Sequence, residues 1–182
     1  HGDSPHPDIA ASYNNIGNVY LSQENYSSAL EYHQKSLSIQ LQIHGDSPHP
    51  DIAGSYNNIG NVYRSQGNYG SALEYHQKSL SIQLQIHGDS PHPDIAASYN
   101  NIGNVYLSQE NYSSALEYHQ KSLSIQLQIH GDSPHPDIAG SYNNIGNVYR
   151  SQGNYGSALE YHQKSLSIQL QIHGDSPHPD IA

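Results

Sequence analysis

Apolar residues along this chain fall into two alternating rhythms. Ile9, Tyr13, Ile16 and Tyr20 stand at i, i+4, i+7 and i+11, the spacing that lines one face of an α-helix. The stretch that follows needs a wider window. Ser36 to Ile43 reads SLSIQLQI, a polar–apolar alternation that on its own fits a strand. Extended back to Tyr26, the pattern resolves differently. Tyr26, Leu30, His33, Leu37 and Leu41 form one helical stripe, and Ala29, Tyr32, Ser36, Ile39 and Ile43 form another beside it. Together they span roughly 200° of a helix surface, leaving Glu31, Gln34, Lys35, Ser38 and Gln42 on the polar side. The pattern predicts a second helix buried on two sides, as a stacked helical hairpin requires. Gly2, Asp3, Pro5 and Pro7 mark a turn before the first helix, and Pro7 suits the first helical turn, where its missing N–H costs little. Ser22 to Asn25 reads as a short turn between the helices. Gly17 interrupts the first helix at a propensity cost of about 1 kcal/mol, which predicts close backbone packing there.

This pair of rhythms repeats every 43 residues. HGDSPHPDIA begins at His1 and returns at His44, His87, His130 and His173. The predicted organisation is four repeats, 1–43, 44–86, 87–129 and 130–172, with the start of a fifth at 173–182. Two versions alternate, so the superperiod is 86 residues: Ala11 becomes Gly54, Leu21 becomes Arg64, Glu24 becomes Gly67 and Ser27 becomes Gly70. A fixed period of this length marks a stacked solenoid in which no unit buries its apolar face alone. A site written four times is not a single-copy active site. No terminal repeat is altered into a polar cap and no Met occurs, which points to a window on a longer array or to ends that meet other copies.

Asn15-Ile16-Gly17-Asn18, Tyr20, Tyr26, Ala29-Leu30, Tyr32 and Gln34-Lys35 resemble the tetratricopeptide repeat. The HPDIA segment and the long second helix resemble the variant found in kinesin light chains. The sequence departs from the signature at Tyr13, where Trp is common, at His33, where an aromatic is favoured, and at Leu41, where Pro is favoured. The resemblance implies an all-α fold, a right-handed superhelical solenoid of antiparallel helical hairpins, whose first helices line a concave groove for extended peptides. Carried over position by position, it places Ala11, Asn14, Asn18, Leu21 and Ser22 on the groove. The equivalents are Asn57, Asn61 and Arg64, then Asn100, Asn104 and Leu107, then Asn143, Asn147 and Arg150. A ladder of primary amides can donate to and accept from a peptide backbone. The alternative is that these Asn side chains are solvated or tie neighbouring helices together. Arg64 and Arg150 offer carboxylate anchors where Leu21 and Leu107 offer apolar contact; the alternative for Arg64 is an exposed pair with an acid such as Glu24.

The net charge of −10 changes the choice of partner. The first version sets Asp3, Asp8, Glu24 and Glu31 against Lys35, the second Asp46, Asp51 and Glu74 against Arg64 and Lys78. Without clustered Lys and Arg, a nucleic-acid partner is not expected. No apolar run approaches the roughly 20 residues of a membrane span, so membrane insertion is not expected either. Absent cysteines exclude disulfides and thiolate metal sites. His1, Asp3, His6 and Asp8 are potential metal ligands, but two prolines separate them and the Asp residues serve turns and helix starts, so no metal site is assigned. His33, inside an apolar stripe, reads as a core residue with one satisfied nitrogen. Asn25-Tyr26-Ser27 and Asn111-Tyr112-Ser113 match a glycosylation pattern that Gly70 and Gly156 break in the second version. No catalytic constellation or cofactor motif is present. The expectation is a non-catalytic scaffold for a protein or extended peptide partner. The alternative is a structural array or filament, natural or designed, that associates end to end through uncapped repeats.

Overall fold

The computed structural model describes residues 5–174, and among them all regular structure is helical. The helices are α1 (Pro7–Ser22), α2 (Tyr26–His44), α3 (Pro50–Ser65), α4 (Tyr69–His87), α5 (Pro93–Ser108), α6 (Tyr112–His130), α7 (Pro136–Ser151) and α8 (Tyr155–His173). SLSIQLQI lies inside α2, so the helical reading of that segment holds. The chain divides into two compact units, His1–Ser90 and Pro91–Ala182. Within each, four helices pack in succession, α1 on α2, α2 on α3 and α3 on α4, and likewise α5 to α8. The candidate ligands His1 and Asp3, and residues 175–182 of the fifth repeat, lie outside the described residues.

Local chemistry sets the helix bounds. His6 caps α1, its Nδ1 accepting the Asp8 N–H at 3.2 Å, while Pro7 takes the first helical position and Asp8 meets the positive end of the helix dipole. The helix closes in a Schellman motif: the Glu24 N–H donates to the Leu21 carbonyl (2.9 Å) and the Asn25 N–H to that of Tyr20 (2.9 Å). That closure needs a left-handed residue, and Glu24 stands there at φ 57°, Glu110 at 58°, Gly67 and Gly153 at 81°. One of the four alternating differences therefore has a backbone cause. Replacing Glu24 and Glu110 by glycine is expected to raise stability by about 1 kcal/mol each, read as a higher urea midpoint, with Gly67→Glu moving it the other way. Asn25 then caps α2, its Oδ1 accepting from the Ser28 N–H at 3.3 Å. Asn68 and Asn154 do the same without a glycosylation pattern, so capping accounts for this Asn in both versions.

In the first unit α3 is enclosed most fully. Ile52, Ala53, Ser55, Ile59, Gly60 and Val62 are buried, and α7 buries the same set in the second unit. On α2 the most buried line is Ala29, His33, Ser36 and Gln40. Ala29, His33 and Ser36 belong to the two stripes read from the sequence and Gln40 lies between them, while Leu30, Leu37, Tyr32, Ile39 and Ile43 flank the line half-buried and Leu41 is exposed. Small residues on the centre line let the helices approach closely, and the larger side chains close over the sides. Along one such side Tyr75 lies between Tyr63 and Tyr56 (ring centroids 5.5 and 5.9 Å apart). Lys78 Nζ sits 4.7 Å from the Tyr75 ring centroid and 2.6 Å from Glu74 Oε1, fastening this rim at the modest strength of exposed charge contacts.

Candidate functional site

Each hairpin carries one polar stitch. His33 Nδ1–H donates to Asn14 Oδ1 at 3.0 Å, and the pairs His76–Asn57, His119–Asn100 and His162–Asn143 repeat it at 3.0, 2.9 and 3.0 Å. The first three imidazoles are fully buried. Their Nε2 atoms have no hydrogen-bond partner and lie against a glycine of the facing helix: a Cβ on Gly17 would come within 2.8 Å of His33 Cε1 and Nε2, and one on Gly60 within 2.8 Å of His76 Cε1. This is the close approach the mid-helix glycine predicts. Burial pushes the His33 imidazole below its ordinary pKa, and His76 and His119 down to about 4; for His76 the Arg64 guanidinium adds to the effect of burial. These histidines are neutral packing groups.

The ladder of asparagines thus divides by role. Asn14, Asn57, Asn100 and Asn143 spend their carbonyl oxygen inside the hairpin, as the helix-tying alternative supposed. Asn18 is exposed and Asn61, Asn104 and Asn147 are half-buried. Leu21, Arg64 and Leu107 are half-buried, and Arg150 is exposed. Arg64 forms no ion pair with Glu24 among the described residues.

In the second unit a cavity of about 410 Å³ opens between the N-terminal halves of α5 and α7. Asp94, Ala97 and Asn100 line it from α5, Asp137, Gly140, Ser141 and Asn144 from α7, and Gln126 from α6. It brings together one groove position of the sequence reading, Asn100, and the Ala11-equivalent positions Ala97 and Gly140. Sequence reasoning missed Gln126, the carboxylates and Asn144. Gln126 is only 6% exposed and its Oε1 has no hydrogen-bond partner.

The linker residues gather at the hairpin junctions. In the first unit His44 stacks on His49, ring centroids 3.4 Å apart and planes 11° from parallel, with Asp51 Oδ2 3.6 Å from His44 Nε2 and 3.7 Å from His49 Nδ1. His130, His135 and Asp137 repeat the arrangement in the second unit. An ion must lie in the plane of each imidazole that binds it, and two parallel rings this close aim their lone pairs side by side rather than at one point. His49 Nδ1 also accepts the Asp51 N–H. In this geometry the cluster caps and orients α3.

Repeated antiparallel hairpins, each sealed by its own polar stitch, define an all-α helical solenoid protein. Two family models described as Tetratricopeptide repeat match the chain, one over residues 51–128 and the other over 9–51 and 138–180; the chain belongs to the tetratricopeptide-repeat family. Among solved structures it is similar to BtubC (BKLC) from P. vanneervenii, at 22% identity and TM-score 0.77, covering 97% of this chain and 70% of that one. It is also similar to a putative kinesin light chain of Podosopora anserina with nearly identical TPR-like repeats, at 23% identity and TM-score 0.73, covering 94% and 80%. The apo form of RapI matches at 22% identity and TM-score 0.69, covering 89% of this chain and 43% of that one. No curated protein matches by sequence. No described helix is long and apolar enough to cross a membrane.

Proposed function

We propose that the chain is a non-catalytic scaffold that holds a protein or extended peptide along its first helices. Tetratricopeptide repeats are in general protein-interaction scaffolds; the finer reading places the contact on the groove positions Asn18, Leu21, Asn61, Arg64, Asn104, Leu107, Asn147 and Arg150, with the Asn14-type residues at the floor. The observation that carries it is the cavity between α5 and α7, where groove position Asn100 lies beside further polar side chains. A concave surface with a few converging polar groups is the usual form of a recognition site.

One observation favours the second reading, end-to-end association. Ile9, Ile16 and Val19 on α1 are 38%, 40% and 58% exposed, whereas Ile52, Ile59 and Val62 at the same positions of α3 are at most 3% exposed. On α8, Tyr155, Leu159, Leu166 and Leu170 are likewise exposed. Placing α8 of one copy against α1 of the next would join the same helix types as α2 and α3, a heterologous contact that propagates without closing. Sedimentation velocity with a fluorescent peptide pool separates the two. A discrete species of constant mass that carries peptide with it is the expected result. Mass that grows with concentration while peptide stays behind would sink the groove reading in favour of assembly.

A further inference from the structure

The cavity between α5 and α7 has a buried polar floor and an acidic rim, and we propose that it receives a cationic side chain, arginine or lysine, of a peptide lying along the first helices. The inference rests on the scaffold reading and gives it a ligand chemistry. The floor is Gln126, a primary amide more than nine-tenths buried whose Oε1 lacks a partner. A buried amide left in that state is costly, and a donor brought in by a ligand would satisfy it once the amide turns that enclosed oxygen toward the cavity. The same residue recurs at Gln40 in the first unit, equally buried and equally without a partner for Oε1.

Charge decides the kind of donor. Asp94 and Asp137 line the cavity, and no Lys or Arg does. The helix N-termini that would otherwise draw an anion have their amides occupied. Pro93 and Pro136 have no N–H, and the Asp94 and Asp137 amides donate to the capping His92 and His135 at 3.2 Å. An anion entering here would meet two carboxylates, whose charge outweighs the neutral amides of Asn100, Gln126 and Asn144 that share the lining. A guanidinium or ammonium would meet two carboxylates, the Ser141 hydroxyl and the Gln126 amide, groups suited to charge-assisted hydrogen bonds. Access is kept by a small residue: a Cβ on Gly140 would meet nothing within 4 Å, and the same holds for Gly54 in the first unit.

The test uses the full chain and fluorescein-labelled Gly/Ser peptides that differ at one central residue: arginine, lysine, citrulline, glutamate or leucine. By anisotropy, the arginine and lysine peptides are expected to bind about tenfold more tightly than the citrulline or glutamate peptides, and to weaken as salt is added. The Gly54→Leu/Gly140→Leu pair fills both positions with side chains that enter open space. It is expected to cut that binding about tenfold without lowering the circular dichroism melt, since leucine is a better helix former than the glycine it replaces. Gln40→Leu/Gln126→Leu should weaken it in the same direction. If the leucine or glutamate peptide binds as well and the glycine-to-leucine pair blocks it, the groove reading stands and the cationic inference is overturned. Undiminished arginine-peptide binding to that pair would overturn the site. Displacement by free arginine amide at equal concentration would overturn the peptide as its source. If no peptide binds at all, the groove reading fails with it.

Discussion

Gly60→Ala is expected to destabilise the protein by about 2 kcal/mol, although alanine is the better helix former by about 1 kcal/mol. The added methyl would lie 2.8 Å from His76 Cε1, 2.9 Å from Nε2 and 3.0 Å from Cδ2, against the whole edge of a ring rather than the tip of a flexible chain. His76 has no room to withdraw: it is fully buried, and its Nδ1 is fixed to Asn57. The helices must separate or the imidazole must give up its hydrogen bond, and both costs fall on the hairpin core. Gly54→Ala, six residues earlier on the same helix, meets nothing within 4 Å and is expected to gain up to about 1 kcal/mol. Urea unfolding of the two variants should therefore shift the midpoint in opposite directions. Equal gains would show that the histidine edge does not press on the glycine.

A close approach at this glycine is legible in the sequence, because a glycine inside a strong helical pattern has few other physical reasons to be there; that the histidine ring makes it is not. The hairpins were legible for a similar reason: Pro7, the apolar stripes and the turn at Ser22 to Asn25 each mark a helix by an independent rule. The centre line of α2 was legible except at Gln40. Ala29, His33 and Ser36 fall in the two apolar stripes, whereas Gln40, seven residues after His33 on the same face, is a polar residue that neither stripe takes in. Only the packing shows that Ala29, His33, Ser36 and Gln40 lie innermost while the leucines flank them.

The candidate site was legible in part. Position-by-position carry-over selected Asn100, which lines the cavity, but it could not divide the ladder into amides bound to core histidines and amides facing outward. Such a division depends on which helix face each Asn turns to its own partner. Asp94 and Asp137 reach the cavity from helix starts, a role that already explained them, and Gln126 from a position that neither the stripes nor the polar face of the pattern takes in. Periodicity finds faces; it does not find where two faces leave a hollow.

Acid should destabilise this protein from about pH 6.5 downward, before its carboxylates begin to lose their charge. His76 and His119 have pKa values of about 4 in the fold, against about 6.5 in an unfolded chain. Between these values the unfolded state binds protons that the folded state refuses, so stability falls as pH falls. The contribution is fully present above pH 6.5 and is lost as pH drops through about 4. At 1.36 kcal/mol per unit it comes to about 3 kcal/mol for each of the two histidines, and burial acts on His33 in the same direction. Two such losses together approach the whole stability of an ordinary domain. Thermal melts followed by circular dichroism from pH 7 to pH 4 should show a steep decline in midpoint, flattened in the His76→Gln/His119→Gln variant. That variant is expected to be less stable at pH 7, since it loses ring packing against Gly60 and Gly103, yet to fall less as acid is added. A wild-type midpoint that stays level down to pH 4.5 would mean the buried imidazoles take up protons inside the fold, and that the polar stitch opens to water.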